Sequence, residues 1–286
     1  MTNPAKIKKL LSQTSLVLAA GMLPAAAFGG VFVITDDACP AAHGDLEAHL
    51  NWESGVATSH GRNVGSGAGL EFAYGATATL EVAASLDFGW DYASGHYARK
   101  TGGERQNDFN FTGVSLGLKN QILDPESPEN PFGLAMVGGF SWGWAAPDKT
   151  SARDIAFSLG LNFQKNLMDG DLILAFTPGV EFATSKGSTD AYGNPVNEDS
   201  SVDSIAYTLA GGFSYQIAEG LRVGAEAEWS ASYSDGYDDD AFYAGPNLCY
   251  EAESWWATLC VAPRLFSRDP ELGHDVRVVV QLGYVF

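Results

Sequence analysis

The last eleven residues, Val276 to Phe286, alternate in character along the chain. Even positions carry Val276, Val278, Val280, Leu282, Tyr284 and Phe286, while odd positions include Arg277, Gln281 and Gly283. A period of two with one apolar face specifies a β-strand half in apolar surroundings. It excludes a helix, whose faces recur every 3.6 residues. Such a strand cannot stand alone, so the rest of the chain must supply partners for its backbone.

Twelve segments alternate in this way. Their apolar faces include Leu46/Ala48/Leu50/Trp52, Leu70/Phe72/Tyr74, Leu80/Val82/Ala84/Leu86/Phe88/Trp90 and Val114/Leu116/Leu118. The others run through Phe132–Trp144, Ile155–Phe163, Leu174–Phe182, Ile205–Tyr215, Leu221–Trp229, Phe242–Tyr250 and Trp255–Val261 to the C-terminal strand. Odd-numbered connections are long or polar: Ser54–Ser66, Ala93–Asp108, Ala145–Ala152, Thr184–Asp203, Ser234–Asp240 and Ser267–His274. Even-numbered ones are tight: Gly75-Ala76-Thr77, Asp169-Gly170, Ala218-Glu219-Gly220 and Glu253–Trp256, with Asp124–Asn130 somewhat longer. Parity agrees with these turns. Apolar residues stay on even numbers across the three-residue Gly75 turn and switch from odd to even across Asp169-Gly170, as the pleat requires.

The N-terminus carries Lys6, Lys8 and Lys9, an apolar run from Leu10 to Ala20, and Ala25-Ala26-Ala27. That order is a secretory signal, with cleavage expected after Ala27. Its removal takes three lysines and moves the net charge from -19 to -22. Such acidity excludes a nucleic-acid partner, which needs Lys and Arg against phosphate. The expected domains are the signal at 1–27, an N-terminal periplasmic or lumen segment at 28–44, and a barrel at 45–286.

The face opposite the apolar one is rich in Gly, Ala, Ser and Thr, with acids among them. Aromatics gather near both strand ends: Trp52, Trp90, Tyr92, Trp144, Trp229 and Tyr233 at one, Tyr74, Tyr215, Tyr250, Trp255, Tyr284 and Phe286 at the other. Two aromatic girdles around an aliphatic middle match a bilayer with two interfaces. The expected fold is therefore an all-β, transmembrane, antiparallel up-and-down barrel of about twelve strands in the bacterial outer membrane, with outer-membrane lipid and lipopolysaccharide around it. Phe286 is the expected signal to the barrel-assembly machinery.

Phe28-Gly29-Gly30-Val31-Phe32, Pro131-Phe132-Gly133-Leu134-Ala135 and Asn162-Phe163-Gln164-Lys165-Asn166-Leu167 carry a family likeness. In these segments the chain resembles small porin-like outer-membrane barrels near the transporters of the meta-pathway of phenol degradation. The resemblance implies the fold and transfers no functional residue.

Function must then come from the inward face. It carries Glu47, Glu53, Glu71, Glu81, Asp87, Asp91, Glu181, Glu226, Glu228 and Glu251, against Lys119, Arg222, Arg264 and Arg277. A carboxylate-lined lumen favours cations, so the expected function is a porin-like channel for passive diffusion of small solutes. Glu71, Glu81, Asp87, Glu181, Arg222, Glu226, Glu228 and Arg277 are the expected selectivity residues. The alternatives are a non-conducting surface-interaction barrel, in which these charges pair and fill the interior, and an enzyme using His60 or His96 at the outer rim. The segment Phe28–His43 could enter the lumen as a plug.

Pairing Tyr250 with Leu259 would set Cys249 opposite Cys260, both inward, which predicts a disulfide in an oxidising compartment and leaves Cys39 unpaired. Cys39, His43 and His49 with Asp36 and Asp37 include copper or zinc donors, but the spacing matches no closed site, so no metal or cofactor is expected. Gly139-Phe140-Ser141-Trp142-Gly143 spells a nucleophile elbow but lies in an alternating strand, and no catalytic residue is assigned.

Overall fold

The computed structural model describes residues 31–57, 62–94, 106–144, 153–189, 195–234, 237–268 and 274–286. Twelve strands run in chain order through them: β1 (Leu46–Ala57), β2 (Arg62–Gly75), β3 (Leu80–Ser94), β4 (Gln106–Leu123), β5 (Gly133–Gly143) and β6 (Arg153–Leu167), then β7 (Leu172–Thr189), β8 (Pro195–Ala218), β9 (Leu221–Ser234), β10 (Tyr237–Glu251), β11 (Trp255–Ser267) and β12 (Val276–Val285). Each pairs antiparallel with its chain neighbours. β12 returns to β1, from Glu47 opposite Val285 to Val56 opposite Val276, and the sheet closes into a barrel.

The side chains are sorted opposite to a water-soluble protein. Leu116, Leu118, Phe157, Leu159 and Phe176 point outward and are exposed, whereas His49, Glu81, Lys119, Asn162 and Glu226 are buried inside. In water, leaving so much apolar surface wet would forfeit about 25 cal/mol for every Å². With acyl chains outside, the same surface is matched to its solvent. Closure is then compulsory, because an open sheet edge would leave N–H and C=O groups unsatisfied in hydrocarbon. Exposed aromatics flank this belt, with Trp52, Trp142, Trp144 and Tyr233 toward the long connections. Tyr74, Tyr215, Tyr250, Trp255, Tyr284 and Phe286 sit toward the short turns.

Local geometry departs from the alternating pattern in three places. Gly75 pairs with Glu81 and Leu167 with Leu172, so the two turns are longer than three and two residues. Their parity is unchanged, and so are the faces. The second turn is a short 3-10 turn, Met168–Gly170, with left-handed backbone at Met168 (φ 55°), Asp169 (φ 58°) and Gly170 (φ 96°). In β4 a bulge follows the pairing of Asp87 with Gly113, since Phe88 then pairs with Phe111. The extra residue, Thr112, lets odd-numbered Phe109 and even-numbered Val114 share the outer face, as a bulge must. Gly113 approaches the carbonyl of Trp142 so closely that an added Cβ would lie 2.5 Å from its oxygen.

Strand also replaces most of the connection expected at Thr184–Asp203. β7 continues to Thr189, and β8 begins at Pro195 and is 24 residues long. A membrane crossing needs only about 9–11 strand residues, so this hairpin stands beyond the bilayer. There no acyl chains select one apolar face, and hydrophobic alternation no longer reports the strand.

A charge on the outer face tests the orientation. Leu159 sits mid-strand in β6 and is 58% exposed. Leu159→Arg is expected to cost about 2–4 kcal/mol of folding stability in phospholipid vesicles, measured by reversible denaturant titration, whereas an unchanged stability would place this face away from lipid.

Candidate functional site

Residues 31–43 do not join the sheet, apart from a single bridge between His43 and Gly75. They lie inside the barrel, gripped by inward side chains of the wall. Glu226 on β9 accepts three successive backbone N–H groups, from Val33 (3.2 Å), Ile34 (2.7 Å) and Thr35 (2.7 Å). Asn247 on β10 donates to Glu226 at 3.0 Å and to the Val31 carbonyl at 2.9 Å. Val31 and Phe32 pack on Ala175 and Cys249, and Val33 and Ile34 on Tyr243, Cys260 and Ala262. Gly212 makes the close fit possible, since an added Cβ would come 3.1 Å from the Phe32 ring.

Further along, the segment brings its own charges. Lys119 on β4, fully buried, donates to Asp36 (3.2 Å), Asp37 (3.1 Å) and the Cys39 carbonyl (3.0 Å). Asn162 on β6 donates to Asp36 and to the Asp37 carbonyl, and Thr177 on β7 meets the Asp36 backbone. Gln164 accepts the Ala38 N–H at 2.9 Å, Gln121 donates to the Ala38 carbonyl, and Glu81 accepts the Ala41 N–H. Lys119 thus offers one positive charge to two carboxylates. Burial pushes Asp36 up to about 7, a rise that Lys119 opposes and Asp37 reinforces. Burial also pushes the Cys39 thiol up.

The remaining interior charges form separate clusters. Arg277 on β12 donates to Glu53 (2.7 Å) and to Glu228, with its guanidinium 5.2 Å from the centre of the Tyr243 ring. His49 on β1 lies between Glu71 (3.1 Å) and Glu47 (2.9 Å) and edges onto Trp256 at 5.1 Å. Trp256 occupies the space over Gly283, where any Cβ would collide with its ring, so the C-terminal strand needs glycine there. Arg222 is tied to Ser214, Gln216 and the carbonyls of Gly170 and Asp171 at the short-turn end. Ser85 donates to Asp87 at 2.7 Å, and Arg264 pairs with Asp275. Glu181 is buried with one carboxylate oxygen that has no partner.

All eight residues expected to set selectivity therefore line or fill the interior, yet most are held by the wall or by the lumen segment. Sequence reasoning missed Asn162, Gln164 and Asn247 as contributors, and named Asp37 and His49 only as metal donors. Their signal was parity, since every barrel member of that group sits on an inward position. His43 bonds to the Gly75 carbonyl, Cys39 to Gln164 and His49 to its two glutamates, so these donors serve different places. His60 and His96 lie outside the described residues.

The expected disulfide is corrected. β10 pairs with β11 two residues away from the assumed register: Tyr250 faces Ala257, Cys249 faces Thr258, and Cys260 faces Asn247. A tight turn, with the Ala252 N–H on the Trp255 carbonyl at 2.8 Å, fixes that register. Cys249 and Cys260 become diagonal neighbours, about 7–8 Å apart between Cα atoms, beyond the reach of a disulfide. All three cysteines are free, with Cys249 and Cys260 buried against the lumen segment.

Two outcomes follow. Without reductant, the unfolded protein should take up three alkyl groups by mass spectrometry, whereas uptake of a single group would restore the disulfide. The docked segment holds the Asp36 proton more tightly than a released one. Acid therefore favours docking, most fully below the ordinary value of 3.8, and the contribution fades as pH climbs through about 7. Methyl NMR signals of Val31, Val33 and Ile34 should shift toward a released population between about pH 4 and 7, with little further change above that, and Asp36→Asn should flatten that change.

The barrel is similar to solved structures at low sequence identity. The COG4313 outer membrane channel from Pseudomonas putida F1 is 11% identical with a TM-score of 0.64, covering 89% of this chain and 100% of that one. The translocator domain of the autotransporter NalP from Neisseria meningitidis is 14% identical with a TM-score of 0.52, over 85% of this chain and 88% of that one. At such identities the likeness concerns the fold, that of a bacterial outer-membrane β-barrel. No curated protein matches the chain. Residues 28–269 match the family of unknown function DUF6662, and this outer-membrane barrel with its occupied lumen is a member of that family.

Proposed function

We propose that the protein is a porin-like channel for passive diffusion of small solutes, cation-preferring when open and closed at rest by residues 31–43. One observation carries this reading. The lumen segment is held by individual hydrogen bonds from side chains to its backbone, led by Glu226 and Lys119, and not by sheet pairing. A segment attached in this way can leave without opening any seam of the wall. Once it leaves, Glu226, Glu81, Asp87 and Glu181 outnumber the cations beside them, and a carboxylate-rich path attracts cations. Arg222, Glu71, Glu228 and Arg277 shape that path from its two ends. Solutes are small and hydrophilic or aromatic, the latter following from the resemblance to the phenol-degradation transporters. Phe286 addresses the chain to the barrel-assembly machinery, and lipopolysaccharide surrounds the outer end.

The mutual pairing of Arg277, Glu53 and Glu228 favours a second reading, a non-conducting barrel whose outer loops act on other surfaces. Planar-bilayer recording separates the two. The intact protein is expected to show few openings, and deletion of residues 31–43 should give stable steps with a reversal potential favouring K+ over Cl-. Silence from the deleted barrel, once folded, would remove the channel reading.

A further inference from the structure

Glu181 and Glu81 each have an unpartnered buried oxygen, but Glu81 also accepts the Ala41 N–H and lies beside Lys119. Glu181 lies on β7 with 3% of its surface exposed, and its Oε1 has no hydrogen-bond partner. The interior Lys and Arg side chains are committed elsewhere among the described residues: Lys119 to Asp36 and Asp37, Arg277 to Glu53 and Glu228, Arg264 to Asp275, and Arg222 to Ser214, Gln216 and the Gly170 and Asp171 carbonyls. The register places Ser158 on β6 and Ala206 on β8 directly beside Glu181, with Thr208 one inward position away. An isolated buried carboxylate is costly until a cation or donor reaches it, and none of the described residues bonds to Oε1. Thr177, on the same face of β7, bonds the Asp36 backbone. Glu181 is four residues farther from the short-turn end, so it lies on the extracellular side of the lumen segment.

We propose that Glu181 is the recognition carboxylate of a solute site on that side of the segment, and that its ligand is a small organic monocation bearing a primary ammonium group. The site deepens the channel reading and rests on it for its place in the solute path. An ammonium has three donors, and the wall offers three acceptor groups: the Glu181 carboxylate and the hydroxyls of Ser158 and Thr208. A divalent metal ion held by this single carboxylate would keep most of its waters, a bulky hydrated ion beside a buried side chain. A neutral alcohol would leave the carboxylate charge uncompensated.

The test uses the full-length mature protein in detergent micelles, with propylammonium as probe and n-propanol, propionate and Mg2+ as matched controls. Calorimetric titration should show propylammonium binding at least tenfold more tightly than n-propanol, with propionate not binding. Glu181→Gln, which keeps the volume, should erase that tenfold preference while heat-modifiable gel mobility stays that of a folded barrel. The comparison among probes on the unaltered protein needs no variant. Equal binding of propylammonium and n-propanol, displacement by Mg2+ at equal concentration, or an unchanged preference in the variant would each overturn the site. Bilayer current separates this from the channel reading. Ammonium binding with a silent segment-deleted barrel leaves the site and removes the channel, and current without ammonium preference does the reverse.

Discussion

The hydrogen-bonded seam between β1 and β12 is the constraint on which the rest depends. Ten residue pairs join the two ends of the sheet, and without them hydrocarbon would meet a row of bare peptide groups. The closed wall separates two solvents, acyl chains outside and an enclosed polar space within. That separation lets Lys119 and Glu226 be buried while Leu116 and Phe157 are exposed. It also explains how an acidic chain can keep so many carboxylates together.

Those carboxylates are handled locally. Glu226 is held by backbone N–H groups, Glu81 by an N–H beside Lys119, Glu71 and Glu47 by His49, and Glu53 and Glu228 by Arg277. Breaking one partner of such a buried set costs far more than the set contributes as a whole, so the interior behaves as a few independent locks. Two of these locks close on residues 31–43, and the others brace the wall at its two ends.

Much of the barrel was legible in the residues. Period-two alternation located the strands and parity assigned their faces, so the inward position of Glu181 or Arg277 needed no structure. Parity is blind to a slip of two residues, which keeps every side chain on its face, and that is why Cys249 was set opposite the wrong partner. The bulge at Thr112 is invisible for the complementary reason: it changes parity inside a strand. The partners of Asp36 were out of reach, because they lie on β4, β6 and β7 and meet only once the cylinder has closed. The β7–β8 extension was lost because beyond the bilayer no acyl chains impose the pattern that marks a strand.

Sequence distance gives the lumen segment a further consequence. Thr35 and its acceptor Glu226 are separated by 191 positions, and Val31 and Asn247 by 216. Residues 31–43 therefore find these anchors only when β9 and β10 are in place. Docking of residues 31–43 into the bore follows formation of β9 and β10, a long-range step beside the hairpin pairing of neighbouring strands.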